Sequence, residues 1–199
     1  ILYAIGFTGN LVVSKTIDDN PQVSMLAAIS TNTALLLLFA LQHSIMPRSS
    51  FGRRWANLIP ASIERSTYVL VASICLVLIM WLWQPMEGTI WNVNSLAGKG
   101  FLQFFFFLGW GLVFISTLLM NHLDVFGLRQ VWFYFNGRPY QQLTFRTPLF
   151  YRFVRHPLYL GFVLAFWCTP VMTTSHLLFS IISTSYIIGF GFRVSRVEL

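Results

Sequence analysis

Charge is what this 199-residue chain has least of: 10% of its residues are Asp, Glu, Lys or Arg, while 56% are hydrophobic. A soluble domain of this size carries about 25% charged residues, so long runs nearly free of charge point to a polytopic membrane protein. Cysteine is scarce too. Cys75 and Cys168 both lie inside apolar runs, which leaves no disulfide framework and no cysteine-type metal spacing; they read as small packing residues, and no metal site is expected. P-loop, Rossmann-type glycine and Cys-x-x-Cys patterns are missing as well, which excludes a soluble nucleotide-binding domain. With no internal repeat and no low-complexity linker, residues 1–199 read as a single domain.

What is present is a series of apolar segments, at roughly 1–13, 24–46, 66–84, 100–123, 157–172 and 176–192. About 20 residues are needed to cross the hydrocarbon core as a helix, and the second, third and fourth segments meet that length. The expectation is an all-α membrane bundle of five or six transmembrane helices. Residues 24–123 form its central spans and 124–156 an interfacial segment. Residues 157–192 form a C-terminal helical hairpin that turns at Thr169-Pro170 and Thr173 to Ser175. The chain begins at Ile1, and its short first run lacks a basic flank, so it reads as part of a longer protein and not as a signal peptide.

The formal net charge of +7 sits in alternating loops. Loop 47–65 carries Arg48, Arg53, Arg54 and Arg65 against Glu64. Segment 124–156 carries Arg129, Arg138, Arg146, Arg152 and Arg155 against Asp124, and the tail carries Arg193 and Arg196. Loops 14–23 and 85–99 have no such excess. The positive-inside rule therefore places 47–65, 124–156 and the C-terminal tail in the cytoplasm. A charge distributed this way speaks for a lipid bilayer as partner and against nucleic acid. Segment 124–156 mixes Trp132, Phe133, Tyr134, Phe135 and Tyr140 with arginines, a composition that favours the headgroup layer.

Polar side chains gather at one end of the spans. Gln42, His43 and Ser44 close the second segment, Asn121 and His122 close the fourth, Asp124 and Arg129 follow, and His156 opens the fifth. Three histidines from three helices thus reach similar depth and outline a cytoplasm-facing pocket, although each alone also suits an ordinary interfacial position. Paired spans with His43 and His122 would equally suit axial ligation of a b-type haem, and a non-catalytic membrane scaffold is a further alternative. His176 falls at the opposite end and reads as a turn or cap residue.

The stretch Arg155-His156-Pro157-Leu158-Tyr159-Leu160-Gly161 joins a basic loop to an apolar helix. Pro157 suits the first helical position and pushes His156 into extended backbone. The unpaired amides of a helix start attract an anion, Arg155 can add a bidentate contact, Tyr159 offers a stacking ring, and Gly161 clears space. A packing alternative stands beside this: Gly161 and Ala165 are spaced as a small-xxx-small face, and Arg155 could snorkel to lipid phosphate.

Arg155-His156-Pro157-x-Tyr159-x-Gly161 followed by a helical hairpin resembles the isoprenylcysteine carboxyl methyltransferase superfamily. Further stretches, Leu2-Tyr3-Ala4-Ile5-Gly6-Phe7, Gln42-His43-Ser44-Ile45-Met46, residues 121–132 from Asn121-His122-Leu123-Asp124 onward, and Phe145-Arg146-Thr147-Pro148, look like the bacterial methanethiol S-methyltransferases over nearly the whole chain. The resemblance implies S-adenosylmethionine as cofactor, held by Arg155, His156, Pro157, Tyr159, Leu160 and Gly161. It implies methyl transfer to methanethiol, giving dimethyl sulfide, at the cytoplasmic face of a bacterial inner membrane. His43 or His122 is the expected base: a cysteine thiol has a pKa of about 8.5 and a simple alkyl thiol is less acidic, so deprotonation at neutral pH calls for a base such as an imidazole of pKa about 6.5. Gln42, Ser44, Asn121, Asp124 and Arg129 are the expected pocket wall. A prenylcysteine carboxylate or another small thiol is the alternative acceptor. One departure is visible: the glutamate pair that the superfamily carries after its last helix does not occur in residues 186–199. Either a segment is missing there or the site closes differently.

Overall fold

A computed structural model describes residues 1–55, 59–119, 122–140 and 156–197. Among them the chain forms helices α1 (Leu2–Gly9), α2 (Met25–Ile45), α3 (Ser49–Trp55), α4 (Ala61–Leu82), α5 (Leu96–Leu119), α6 (His122–Val125), α7 (Leu128–Phe135), α8 (Pro157–Trp167) and α9 (Thr174–Val197). Two short strands, β1 (Thr89–Asn92) and β2 (Val171–Thr173), pair antiparallel with Trp91 opposite Met172 and Asn92 opposite Val171.

Among the described residues, three helices are long and apolar enough to cross a membrane: Met25–Ile45, Ser62–Leu82 and Leu96–Leu119. Their outward faces are apolar. Leu70, Ile74, Val77 and Trp81, spaced at one helical face of α4, are all exposed, as are Leu37 and Leu41 of α2 and Phe104 and Phe107 of α5. A helix with exposed leucine and phenylalanine in this density needs lipid around it. The fold is a polytopic helical membrane protein.

Inside, α2 packs on α4 and α9, and α8 packs on α9 and, most extensively, on α5. The α5–α8 contact follows from two glycines. A Cβ on Gly109 would meet the Gly161 carbonyl oxygen at 2.6 Å, and one on Gly161 would meet the Gly109 carbonyl oxygen at 2.7 Å, so the two backbones touch because neither residue has a side chain. Phe106, Trp110, Val113, Ala165 and Phe166 fill in around this crossing. A second core of Phe7, Ile17, Leu35, Leu36, Ile79 and Trp83 lies at the end remote from the Arg-His-Pro stretch.

That remote end is stitched by hydrogen bonds. Asn32, fully buried in α2, accepts from the Gln84 amide (2.9 Å) and donates to the Gln84 carbonyl (2.7 Å). The Trp83 indole donates to the Ile17 carbonyl and to the Ser175 hydroxyl. His176, expected as a turn or cap residue, sits fully buried in the first turn of α9, and its ring caps a backbone carbonyl. The cause lies in Pro170: the Phe166 carbonyl would bond the amide four residues on, and proline has none. His176 Nε2 donates to that carbonyl at 2.9 Å, and the Ser180 hydroxyl does so at 2.7 Å. The other ring nitrogen, Nδ1, faces the Asp18 carboxylate at 3.8 Å. Asp18 also accepts from Asn10 Nδ2 (2.7 Å) and from the Thr173 hydroxyl. Burial alone would push the Asp18 carboxyl up, but His176, Thr173 and Asn10 more than offset it and hold the group below its ordinary range.

Element boundaries differ from the sequence expectation in several places. The first apolar run is helical only over Leu2–Gly9. The third segment starts earlier, at Ala61 directly after Pro60. Loop 85–99 contributes a strand, and the hairpin turn after α8 contains its partner. The last helix runs past the apolar segment to Val197.

Candidate active site

The site grows from His43 in the last turn of α2. Phe39, one turn earlier, stacks on the imidazole with ring centres 5.2 Å apart and planes 21° from parallel. Tyr68 of α4 brings its hydroxyl to 2.7 Å from Nδ1 and 3.2 Å from Nε2. Tyr186 of α9 meets the imidazole edge-on at 6.4 Å, and its hydroxyl hydrogen-bonds the Ser44 hydroxyl at 3.0 Å. Three helices therefore close on one imidazole. Gln42 donates to the Tyr68 carbonyl at 3.4 Å and to Met46 Sδ at 3.2 Å, while its buried Oε1 has no hydrogen-bond partner among the described residues.

The start of α8 takes the form expected from the sequence. Pro157 occupies the first helical position, and His156 before it lies outside the helical region (φ −138°, ψ 72°). The exposed His156 ring stacks on Tyr159 with centres 5.1 Å apart. The Tyr159 phenol in turn lies within electrostatic reach of Tyr186. Two ring groups result: His156 with Tyr159 at the start of α8, and His43 with Phe39, Tyr68 and Tyr186.

The remaining expected site residues divide. Gln42 and Ser44 lie beside His43 as anticipated. Arg155 and Asn121 fall outside the described residues, and so does the side chain of His122, whose backbone starts α6. Leu160 is exposed. Gly161 is buried against Gly109, so its missing side chain makes room for a helix and not for a ligand ring; of the two readings of Gly161, the packing one describes its contacts. Asp124 and Arg129 form an ion pair at 3.5 Å, the Tyr140 hydroxyl donates to Asp124 at 2.9 Å, and the guanidinium lies 5.3 Å from the Phe133 ring centre. These contacts fold residues 124–140 on themselves. Gly127, at φ 73°, seats that fold against the backbone of Ser66 on α4.

Sequence reading did not single out Phe39, Tyr68 or Tyr186. Phe39 carried a usable signal, since a residue four before a candidate histidine shares its helix face. Tyr68 and Tyr186 sit 25 and 143 positions from His43 in otherwise apolar helices, and only the helix packing reveals them.

A bundle of apolar spans with a histidine enclosed by aromatic side chains at the end of one of them defines a polytopic helical membrane protein. The comparisons make this specific: the chain belongs to the methanethiol S-methyltransferase family. It is 49% identical to the methanethiol S-methyltransferase of Crocosphaera subtropica over 187 residues, covering 94% of this chain and 73% of that protein. It is 50% identical to that of Mycobacterium tuberculosis over 186 residues, covering 94% and 76%. A more distant likeness, 29% identity over 167 residues, links it to nurim of Xenopus laevis, with 80% of this chain and 58% of that protein covered. No protein-family model and no solved structure matches.

Proposed function

We propose that this methyltransferase methylates methanethiol with S-adenosylmethionine, releasing dimethyl sulfide, at the cytoplasmic end of a bacterial inner-membrane bundle. The observation that carries the reading is the enclosure of His43 by Phe39, Tyr68 and Tyr186, together with the stacked His156–Tyr159 pair at the start of α8. It sets a titratable base and a flat, exposed stacking surface at one end of the spans.

The residues fit such a donor. His156 and Tyr159 offer ring faces for a heteroaromatic base, Arg155 offers a fork for a carboxylate, and the buried Gln42 Oε1 is an acceptor still lacking a donor among the described residues. When bound, the cofactor supplies an electrophilic methyl group on a sulfonium. The chain's own part is to bring the thiol into line and to take its proton. His43 is the base in this reading, and His122 the alternative. A small apolar thiol reaches the site through the bilayer, and the apolar surroundings of His43 keep water from the sulfur. The basic loops orient the site toward the cytoplasm.

Membranes containing the chain, supplied with S-adenosylmethionine, should release dimethyl sulfide into the headspace only when methanethiol is added. Absence of dimethyl sulfide under those conditions would refute the proposal.

A further inference from the structure

We infer that Phe39 sets the size limit on the acceptor: its ring is the wall that confines the thiol's alkyl group to a single carbon beside His43. The inference rests on the functional reading above and deepens it, from a small thiol to the smallest one. Three rings surround the imidazole. Phe39 stacks on one face with centres 5.2 Å apart, Tyr68 is tilted against it at 5.4 Å, and Tyr186 meets it edge-on at 6.4 Å. Phe39 and Tyr186 also meet each other edge-on at 6.4 Å, so α2 and α9 are in contact beside the imidazole. An acceptor whose sulfur reaches His43 must fit its carbon chain among these rings.

Phe39 is the wall that decides chain length because of where it stands and what it lacks. It lies one helical turn from His43 toward the middle of the span, the direction that an apolar chain favours. Half-buried, it packs against the core of Leu35, Leu36 and Ile79. A chain longer than one carbon would have to push the ring into that core, and close-packed interiors yield poorly. The Tyr68 and Tyr186 hydroxyls are engaged with His43 and Ser44, so trimming either ring leaves a polar partner behind. Phe39 has no polar atom. Truncating it to alanine breaks no hydrogen bond and leaves an apolar hollow, and such hollows stay dry and take up small apolar groups. The same wall bars a prenylcysteine, whose isoprenoid chain is far longer than one carbon.

The test is a competition between two acceptors. Membranes bearing the full chain receive S-adenosylmethionine with methanethiol and ethanethiol at equal concentration, and the headspace ratio of ethyl methyl sulfide to dimethyl sulfide is measured. That ratio reports relative kcat/KM and does not depend on how much of the protein is folded. A methylene that a pocket cannot hold costs about 10- to 200-fold, so the wild type should favour methanethiol by that order. In Phe39→Ala the ratio should move toward ethyl methyl sulfide by roughly tenfold or more. Phe39→Leu should move it the same way by less. Leu41→Ala, on the exposed side of the same helix, should leave it unchanged. A purely structural role for Phe39 lowers both products together and leaves the ratio where it was. That result would overturn the inference, as would an equal shift in Leu41→Ala or a wild type that uses both thiols equally well. If Phe39→Ala yields no product, the ratio in Phe39→Leu decides in the same way. A wild type that makes no dimethyl sulfide would instead overturn the functional reading, and the inference with it.

Discussion

Gly109 of α5 and Gly161 of α8 meet backbone to backbone, each occupying the space that a methyl group on the other would need. The contact fixes the height of α8 against the bundle and so the position of the His156–Tyr159 pair at its start. Gly161→Ala should therefore act as an overpacking change. A cost of about 1–3 kcal/mol is expected, seen as a lower Tm in detergent. The neighbouring Gly111, with open space around its Cβ position, should tolerate alanine with little change. Equal Tm values for the two variants would refute the packing role.

The start of α8 and the His43 cluster predict different kinetic phenotypes. Arg155→Ala and His156→Ala should weaken S-adenosylhomocysteine binding by roughly tenfold or more, in line with the loss of a charge-assisted or stacking contact of about 1.5–3 kcal/mol. His43→Ala should leave that affinity nearly unchanged and lower turnover by about 100-fold or more. Calorimetric titration and single-turnover rates separate the two effects. Unchanged affinity in Arg155→Ala would remove that residue from the cofactor site.

How much of this was legible in the sequence depends on range. The three long central spans and the helix start at Pro157 depend on residues near one another in the chain, and each appears within a few residues of where composition placed it. The ambiguity of Gly161 could not be resolved from the chain alone. The small-xxx-small spacing and the ligand-clearing reading predict the same residue, and only the approach of Gly109, 52 positions away, decides between them. Tyr68 and Tyr186 were invisible for a similar reason, since a tyrosine in an apolar helix reads as an interfacial residue until the facing helix is known. The sequence placed His176 at a turn or cap but not its partner, a carbonyl orphaned by Pro170, a backbone fact that side-chain patterns do not display.

Helix α7 predicts a depth in the membrane. Leu128, Trp132 and Phe135 share one face at i, i+4 and i+7, and all three are exposed, Phe135 at 85%. Arg129 is folded back onto Asp124, Phe133 and Tyr140, so this face is left apolar. An aromatic face of this kind belongs in the headgroup layer. In bilayers reconstituted with brominated lipids, a single-tryptophan variant retaining Trp132 should be quenched most by bromines near the headgroup. Deep bromines should quench it less, and failure of shallow bromines to quench would refute the placement.

The Asp18–His176 contact predicts an acid limit on the opposite end of the bundle. The Asp18 carboxyl is held below its ordinary value of 3.8 by His176, Thr173 and Asn10 against the opposing effect of burial. A carboxyl whose folded value is depressed binds fewer protons in the folded state than in the unfolded state. It therefore contributes stability that is fully present above the unfolded value and is lost as pH falls below about 4, through the folded value. Asp18→Asn removes this titration and weakens the charge-assisted bonds, at a cost of about 1.5–3 kcal/mol near neutral pH. The difference in Tm between wild type and Asp18→Asn should thus be largest at neutral pH and narrow steadily below pH 4. Other carboxylates titrate in both proteins and cancel in that difference. A gap that stays constant on acidification would show that the carboxylate charge contributes nothing to holding Thr173, His176 and the start of α9 in place.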